Sequence, residues 1–335
     1  MIANPDFINC IYNIKDGYKA LKNINIICDK EFIFKQYGSV FCFEPACEKF
    51  QYVAAFDLDW TLSYNEKHLF PKEIDDIQIF PNRRKILEEI IKLGYTIVIF
   101  TNQYAKSKAE KEKKVQRVKT FLEKLNLPVF VYISTEKDNF RKPNIGMWNI
   151  FSKDIKVQKL IFVGDALGRP HDFSDSDRVF GENLKAEIYS PEDFFGEDRN
   201  RMPIFQKEKE LVIFVGMAGS GKSTYYFKYL QDHIHLEQDR LGSHAKVIRS
   251  LDNALLTVKS IVIDATNPKQ ENRMEYYEKA LKHGYIIKVL YFLVNGTGVN
   301  KLRENPVPII AYHLYFKNLD PPTKENTLGE IFYIY

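Results

Sequence analysis

The segment from Leu211 to Ser223 constrains the fold more than any other part of this 335-residue chain. Five apolar residues, Leu211 to Val215, run directly into the glycine-rich sequence GMAGSGKS at 216–223. The apolar run predicts a buried strand, and Lys222 through Leu230 predicts a helix. Between a strand and a helix, such a loop presents backbone N–H groups and a helix N-terminus to phosphate. The segment therefore predicts a P-loop domain with a parallel sheet.

The P-loop and two downstream segments predict phosphoryl transfer from ATP. Lys222 is expected to contact the β and γ phosphates, and the Ser223 hydroxyl to bind Mg²⁺. Asp239 is a candidate base for the attacking hydroxyl, although alone it would more often be a solvated acid or a helix cap. Asp264 follows a further apolar strand and is a candidate metal-side acid. The expected ATP-binding residues of the loop are Gly216, Gly219, Ser220, Gly221, Lys222, Ser223 and Thr224, and the expected substrate or phosphate clamp is Arg273, Asp264 and Asn267.

A second α/β pattern precedes the P-loop. Apolar runs at 53–56, 96–100 and 160–163 predict buried parallel strands, and each run ends at polar residues. Between the first two runs, apolar residues from Ile86 to Leu93 recur at helical spacing, with a proline before them and a glycine after them. Strand, helix, strand predicts a βαβ unit. Because ligands gather at the carboxyl ends of such strands, the chemistry is expected at these polar residues.

The polar residues at the strand ends predict a magnesium-dependent phosphatase. Asp57 is a candidate nucleophile that forms an aspartyl-phosphate, and Asp59 is a candidate general acid and base. A transferring phosphoryl group also needs hydrogen-bond donors, a fixed cation and a divalent metal. The expected residues for these three tasks are, in order, Thr101 and Asn102, Lys142, and Asp165. Each signal alone is more often a turn, a cap or a surface loop, but their order along the chain favours chemistry.

Five segments carry a more specific resemblance. They are Phe100-Thr101-Asn102-Gln103, Arg141-Lys142-Pro143, Gly164-Asp165-Ala166-Leu167-Gly168-Arg169-Pro170, Asp239-Arg240-Leu241-Gly242 and Ile263-Asp264-Ala265-Thr266-Asn267-Pro268. With the P-loop, this set resembles the bifunctional polynucleotide kinase 3′-phosphatase family. The resemblance implies an α/β protein of two domains. The first is a haloacid-dehalogenase-like Rossmannoid parallel sheet, and the second is a P-loop kinase parallel sheet.

The resemblance also implies roles for individual residues. Asp57 would be the nucleophile and Asp59 the general acid and base, while Thr101 and Lys142 would bind phosphate. The implied cofactors are Mg²⁺ and ATP. The implied metal ligands are Asp57, Asp165 and the main-chain carbonyl of Asp59 in the phosphatase, and Ser223 in the kinase. Asp172 and Asp177 would be supporting residues.

Three positions depart from the family pattern. Trp60 stands where the common pattern has Gly, and its ring is expected to pack under the strand-end turn; the alternative is that it faces the pocket and stacks on a base. Gln238 precedes the candidate base where the family has Arg. Lys301 occupies one of two arginine places in the segment that closes over ATP. Arg303 is therefore the expected ATP-side cation, and slower phosphoryl transfer is expected because Lys lacks bidentate geometry.

Composition and charge set the wider expectations. No uncharged apolar run approaches the length of a membrane span, and the four cysteines lack CxxC spacing. We expect a soluble, intracellular monomer with no membrane contact, and leave nuclear and cytoplasmic locations open. A charged stretch at 196–203 that reaches a proline predicts a linker. The expected domains are a phosphatase at 1–198 and a kinase at 199–335.

One charge run offers a candidate nucleic-acid surface. Its basic residues are Lys106, Lys108, Lys111, Lys113, Lys114, Arg117 and Lys119. The run predicts a helix that either follows a sugar-phosphate backbone or is a solvated face of the protein. The net charge of +4 is compatible with a polyanionic partner but falls short of a strongly basic signature.

The two motif sets together predict an enzyme that processes nucleic-acid ends. It would remove 3′-phosphates and phosphorylate 5′-hydroxyls with ATP, leaving ends that a ligase acting downstream can seal. The expected partner is nucleic acid, with DNA favoured and RNA possible. One alternative is a phosphatase fused to a small-metabolite kinase. Another is a nucleotide-binding scaffold with impaired catalysis, suggested by Trp60 and Lys301.

Overall fold

A computed structural model describes residues 32–65, 73–170, 172–195 and 203–334 of the chain. These residues form two compact units, one that ends at Phe195 and one that begins at Pro203. The expected linker lies outside the described residues except for Pro203. Cys42 is a buried free thiol, while Cys10 and Cys28 also lie outside the described residues. Within the described ranges, no helix is both long enough and apolar enough to cross a bilayer.

The first unit contains a seven-stranded sheet and a small two-stranded one. The strands are β1 (Phe32–Tyr37), β2 (Val40–Pro45), β3 (Tyr52–Phe56), β4 (Ser63–Tyr64), β5 (Gln78–Ile79), β6 (Tyr95–Asn102), β7 (Phe130–Ser134), β8 (Lys159–Val163) and β9 (Glu187–Tyr189). The large sheet has the order β1-β2-β7-β6-β3-β8-β9, and β4 pairs with β5. From β7 to β9 every pairing is parallel, which confirms the predicted parallel strands. Short strands were expected before the first domain, but the sequence did not give the bounds or the antiparallel pairing of β1 and β2 at this edge.

Helices cover both faces of this sheet. They are α1 (Arg83–Lys92), α2 (Lys108–Leu125), α3 (Gly146–Phe151), α4 (Ser176–Asn183) and α5 (Pro191–Phe195). Along β6, Ile97 and Ile99 join the core cluster on one face, while Val98 and Phe100 join the cluster on the other. Because both faces are buried, the strand reads as a continuous apolar run in the sequence.

The second unit contains a five-stranded parallel sheet. Its strands are β10 (Glu210–Val215), β11 (Ile234–Glu237), β12 (Ile261–Asp264), β13 (Ile286–Phe292) and β14 (Glu330–Ile334), in the order β11-β12-β10-β13-β14. Its helices are α6 (Lys222–Tyr229), α7 (Gln238–Leu241), α8 (His244–Leu255), α9 (Gln270–Lys282), α10 (Thr297–Lys301) and α11 (Ile309–Lys317). The predicted strand, loop and helix around the P-loop are confirmed.

Candidate active sites

Three acidic side chains meet at the carboxyl edge of the first sheet. β3 pairs in parallel with β8, so Asp57 and Asp165 leave neighbouring strands at the same edge. Asp177 approaches them from α4, and carboxylate oxygens of the three residues lie within 4.8 Å of one another. The Lys142 ammonium lies among them, 2.6 Å from Asp57 Oδ1 and 2.7 Å from Asp177 Oδ1. The site thus combines a buried nucleophile candidate with a fixed cation.

The electrostatics of this cluster fit a divalent cation. Three carboxylates face one ammonium, which leaves a formal charge of −2 when all four groups are ionised. Burial, together with the charge of Asp177, raises the pKa of Asp57 to about 7, and burial with the charge of Asp57 raises the pKa of Asp165 well above its usual range. Burial alone would lower the pKa of Lys142, but the two partner carboxylates raise it above its ordinary value. Oxygen ligands with uncompensated negative charge are what Mg²⁺ selects.

Asp177 is more central than its expected supporting role. Besides Lys142, it accepts a hydrogen bond at Oδ2 from the Ala166 backbone N–H at 3.1 Å. A Cβ at Gly164 would lie 2.5 Å from that same oxygen, so only glycine lets the carboxylate approach. Asp172 accepts hydrogen bonds from the backbone N–H groups of Leu167 and Arg169 and therefore shapes the loop after β8.

Asp59 lies in a different environment from Asp57. Its side chain is 30% exposed, and its two oxygens accept from Arg117 Nη2 at 2.9 Å and from Gln103 Nε2 at 2.6 Å. Sequence reasoning gave neither partner a role here. A signal for Arg117 existed, because it shares the buried face of α2 with Val118 and Phe121 instead of the exposed face.

Thr101 and Asn102 end β6 beside these carboxylates. Thr101 is buried and its Oγ1 accepts from Gln103 Nε2 at 2.8 Å. The Asn102 amide forms two hydrogen bonds with the backbone of Lys142, at 3.1 Å to its carbonyl and at 3.0 Å from its N–H. The oxygen and one N–H of this amide hold the lysine in place, and the role of Asn102 in binding phosphate stays a prediction.

Trp60 adopts a left-handed backbone conformation, with φ of 62°. Its N–H donates to the Ser63 carbonyl at 2.7 Å, and its ring packs against Phe80 with a centroid distance of 6.3 Å. Left-handed φ is the conformation that glycine adopts without steric cost, which explains the glycine of the common pattern. The ring contact agrees with the expected packing under the turn.

The P-loop is braced by the segment that follows β13, the strand paired with β10. A Cβ on Gly219 would collide with the Gly296 carbonyl oxygen, and a Cβ on Gly296 would collide with the Ala218 carbonyl oxygen. The Tyr312 hydroxyl donates to the Ala218 carbonyl at 3.1 Å. Gly296 received no role from the sequence, because its function is a close approach between backbones that are distant along the chain.

The expected kinase residues converge at the carboxyl edge of the second sheet. Burial and the nearby charge of Arg303 lower the pKa of Lys222 to about 8, against the opposing charges of Asp264 and Asp239. Lys222 Nζ donates to the carbonyls of the loop at 216 and 217. The Ser220 hydroxyl is buried and has no hydrogen-bond partner among the described residues, so a phosphate oxygen fits as its partner. Ser223 and Thr224 follow at the start of α6, where Thr224 is exposed.

Asp264 has a neighbour that the sequence did not reveal. His235 Nε2 lies 3.1 Å from Asp264 Oδ2, and the His235 ring stacks on Tyr226 at a centroid distance of 3.7 Å. β11 and β12 are paired in parallel, and His235 lies opposite Val262, two residues before Asp264. The pair fixes the orientation of the candidate metal-side acid.

Arg273 and Asn267 do not form the expected clamp. Arg273 is fully buried, and its guanidinium donates to the carbonyls of Asn267, Pro268 and Asp320. The Asn267 amide donates to the Phe214 carbonyl at 2.8 Å. Both side chains therefore stabilise the strand ends and the C-terminal segment, because the two Nη atoms of Arg273 and the amide nitrogen of Asn267 already donate to the backbone. Nε of Arg273 is buried without a hydrogen-bond partner among the described residues.

The segment that carries Arg303 and Lys301 is fixed at its base. Asn300 is buried and brackets Val307, donating to its carbonyl at 2.8 Å and accepting from its N–H at 2.8 Å. Lys301 and Arg303 are both exposed. Arg303 lies close enough to Lys222 to affect its pKa, which agrees with a position beside the phosphates.

The basic residues of α2 differ in burial and in their ion-pair partners. Lys111 pairs with Glu136, and Lys113 lies 3.3 Å from Glu73, so much of the run forms surface ion pairs. Arg117 is 2% exposed and cannot contact a nucleic-acid backbone, which corrects its inclusion in the candidate surface. Lys114 differs: it is half-buried and lies within electrostatic reach of Asp59, Arg117 and Arg141.

Comparison with known proteins gives the same two-part picture. A family model described as polynucleotide kinase 3 phosphatase matches residues 52–195. A protein of Schizosaccharomyces pombe named bifunctional polynucleotide phosphatase/kinase is 29% identical over 311 residues, covering 81% of this chain and 76% of that protein. A protein of Acanthamoeba polyphaga mimivirus, whose name also contains these words, is 28% identical over 360 residues and covers 83% of each chain. An uncharacterized 20.8 kDa protein of Autographa californica nuclear polyhedrosis virus is 39% identical over 158 residues, covering 44% of this chain and 86% of that protein.

Proposed function

Because the chain belongs to the bifunctional polynucleotide kinase 3′-phosphatase family, we propose that it repairs nucleic-acid ends. It hydrolyses 3′-phosphates in its first unit and phosphorylates 5′-hydroxyls with ATP in its second. One observation carries the proposal: a chain of this family holds a buried acidic cluster with a fixed lysine and, separately, a complete P-loop. The two reactions act on different ends of a strand, so neither reverses the other.

The first unit supplies the groups for a two-step hydrolysis. Asp57 attacks phosphorus while Asp59 donates a proton to the leaving 3′-oxygen, and Asp59 then accepts a proton from the water that cleaves the aspartyl-phosphate. Lys142 and Thr101 lie where they can neutralise and bind the phosphoryl oxygens. Asp57, Asp165 and Asp177, with the main-chain carbonyl of Asp59, would hold Mg²⁺. When bound, the metal offsets the carboxylate charge and lets the phosphate approach.

The second unit supplies the groups for phosphoryl transfer. The loop backbone and Lys222 bind the phosphates of ATP, and Ser223 with Asp264 would hold its Mg²⁺. Asp239 follows β11 at the same edge and accepts the proton of the attacking 5′-hydroxyl. Arg303 supplies positive charge from the segment after α10. Each role follows from the convergence of these residues at one sheet edge.

The proposed partner is nucleic acid, with DNA favoured over RNA. Lys114 lies within electrostatic reach of Asp59, Arg117 and Arg141, and this positive charge supports a polyanionic substrate at the phosphatase site. The pKa of Lys114 is lowered by burial and by the charges of Arg117 and Arg141, and Nη1 of Arg141 has no hydrogen-bond partner among the described residues. The two reactions would leave a 3′-hydroxyl and a 5′-phosphate, which are the ends that a ligase joins. A ligase is therefore the enzyme class that would act next.

The test uses a nicked duplex that carries a 3′-phosphate and a 5′-hydroxyl. The protein is incubated with Mg²⁺ and ATP, alongside Asp57→Asn and Lys222→Ala variants, and both ends are resolved on a sequencing gel. We expect the wild type to convert both ends and each variant to lose only its own activity. Conversion of a free nucleoside without the duplex would instead indicate a metabolite kinase. Unchanged ends in the wild type would indicate a scaffold.

A further inference from the structure

The burial of the Arg117 side chain in the first unit costs folding free energy. Its side chain is 2% exposed, and Nη2 donates to Asp59 at 2.9 Å and to Asn65 Oδ1 at 2.7 Å. Nε and Nη1 of the same guanidinium are buried without a hydrogen-bond partner in the described part of the chain. Burying a cation with unpaired N–H groups opposes folding, so a purely structural residue would be better satisfied. The geometry indicates that Arg117 holds the carboxylate of Asp59 in position.

Gln103 completes the restraint on that carboxylate. Its Nε2 donates to Asp59 Oδ2 at 2.6 Å and to Thr101 Oγ1 at 2.8 Å. Each oxygen of Asp59 therefore has its own buried donor, one from α2 and one from the segment after β6. Two donors at opposite ends fix the plane of the carboxylate, while its 30% exposure leaves a side open to an incoming group.

We propose that Arg117 is the positioning residue that aims Asp59 at the leaving oxygen. This inference rests on the proposed phosphatase function and deepens it. In the first step a bond forms between Asp57 and phosphorus, the bond from phosphorus to the leaving oxygen breaks, and the proton of Asp59 passes to that oxygen. In the second step a water oxygen bonds to phosphorus, its proton returns to Asp59, and the bond from phosphorus to Asp57 breaks. Arg117 acts on both steps only through the orientation of Asp59.

This role predicts a dependence on the leaving group. The 3′-oxygen of a nucleotide is a poor leaving group and needs the proton from Asp59 as the bond breaks. Nitrophenolate is a stable anion and leaves without it. Since kcat/KM reports the steps up to formation of the aspartyl-phosphate, a misoriented Asp59 should lower kcat/KM for a 3′-phosphate much more than for p-nitrophenyl phosphate. A general loss of structure would lower both equally.

The test compares these two substrates in Arg117→Met, Arg117→Lys, Asp59→Asn and the double variant Asp59→Asn/Arg117→Met. We expect Arg117→Met to lower kcat/KM for a 3′-phosphorylated oligonucleotide by about 100-fold and for p-nitrophenyl phosphate by less than about threefold, with Arg117→Lys in between. In the Asp59→Asn background the same change should have no further effect on the oligonucleotide. The near-ultraviolet circular dichroism and the melting temperature of the first unit report whether that unit has folded in each variant.

Equal losses on the two substrates would overturn the proposal, as would a full additional loss in the Asp59→Asn background. If Arg117→Met does not fold, the substrate ratio of Arg117→Lys decides by the same criterion. If the wild type hydrolyses p-nitrophenyl phosphate but not the oligonucleotide, the proposed substrate is wrong. The ratio measured with β-glycerophosphate, another alkyl phosphate, then decides the role of Arg117.

Discussion

Replacing Asp57 by Asn should stabilise the metal-free protein at neutral pH although it abolishes the phosphatase. Burial and the charge of Asp177 raise the pKa of Asp57 to about 7 from an ordinary value of 3.8. The folded protein therefore holds the neutral acid more readily than the unfolded chain does. The stability from this group is fully present below about pH 4 and is lost as the pH rises toward 7.

The structure sets the size of this effect. Raising the pKa of Asp57 from 3.8 to about 7 corresponds to about 4 kcal/mol of destabilisation once Asp57 is ionised. For a folded unit of roughly 200 residues, about 4 kcal/mol lowers the melting temperature by about 10 °C. Asparagine has nearly the same shape but no charge to desolvate, so Asp57→Asn should escape the loss. Bound Mg²⁺ offsets the carboxylate charge, so the advantage of the variant should shrink when the metal is present.

The assay is thermal unfolding of wild type and Asp57→Asn from pH 3.5 to pH 8, in EDTA and in saturating Mg²⁺. Glu123→Gln is the matched control, because it removes one carboxylate charge from a 60% exposed side chain in the same unit. We expect wild type and Asp57→Asn to melt together at the acid end and to separate as the pH rises in EDTA, while the control follows the wild type. Melting curves of Asp57→Asn that never rise above those of the wild type in EDTA would refute the argument from burial.

Further changes probe the rest of the molecule. Lys114→Ala should raise KM for oligonucleotides several-fold in steady-state phosphatase assays at low salt. Lys113→Ala should change KM little, because the Lys113 side chain forms a surface ion pair. Equal effects of the two variants would contradict this distinction. Gly296→Ala should abolish ATP binding in equilibrium titrations while the 3′-phosphatase persists, because a Cβ there collides with the P-loop backbone; wild-type affinity would disprove the close approach. Trp60→Gly should shift the melting temperature by no more than about 3 °C, because relief of left-handed strain offsets the lost ring contact and the greater chain entropy. Lys301→Arg should raise the kinase kcat, and an unchanged turnover number would show that bidentate contact at this place is unimportant.

Much of the architecture was predictable from local sequence. The strands at 53–56, 96–100, 160–163 and 211–215 are buried on both faces and therefore appear as uninterrupted apolar runs. The antiparallel strand β1 has an exposed face and lacks such a run, so the sequence did not give its bounds. Parallel order then places Asp57, Thr101 and Asp165 at one edge without further information.

The hydrogen-bond partners of individual polar side chains were not predictable in the same way. Asn102, Arg273 and Arg117 each have a chemistry that suits a phosphate or a nucleic acid, and the sequence places all three near candidate sites. The structure shows that backbone carbonyls occupy Arg273, that the Lys142 backbone occupies Asn102, and that Asp59 pairs with Arg117. These assignments depend on which polar atoms meet after folding.

The sequence by itself determined the parallel strands of both sheets, the P-loop and the order of acidic residues at strand ends. Those features follow from short-range patterns of apolar residues, glycines and carboxylates, which fix local backbone structure. The tertiary structure alone decided that Asp177 joins Asp57 and Asp165, that Gly296 braces the P-loop and that Arg117 is buried against Asp59. The reason is physical, because desolvation and hydrogen-bond pairing between residues distant along the chain exist only once the elements have packed.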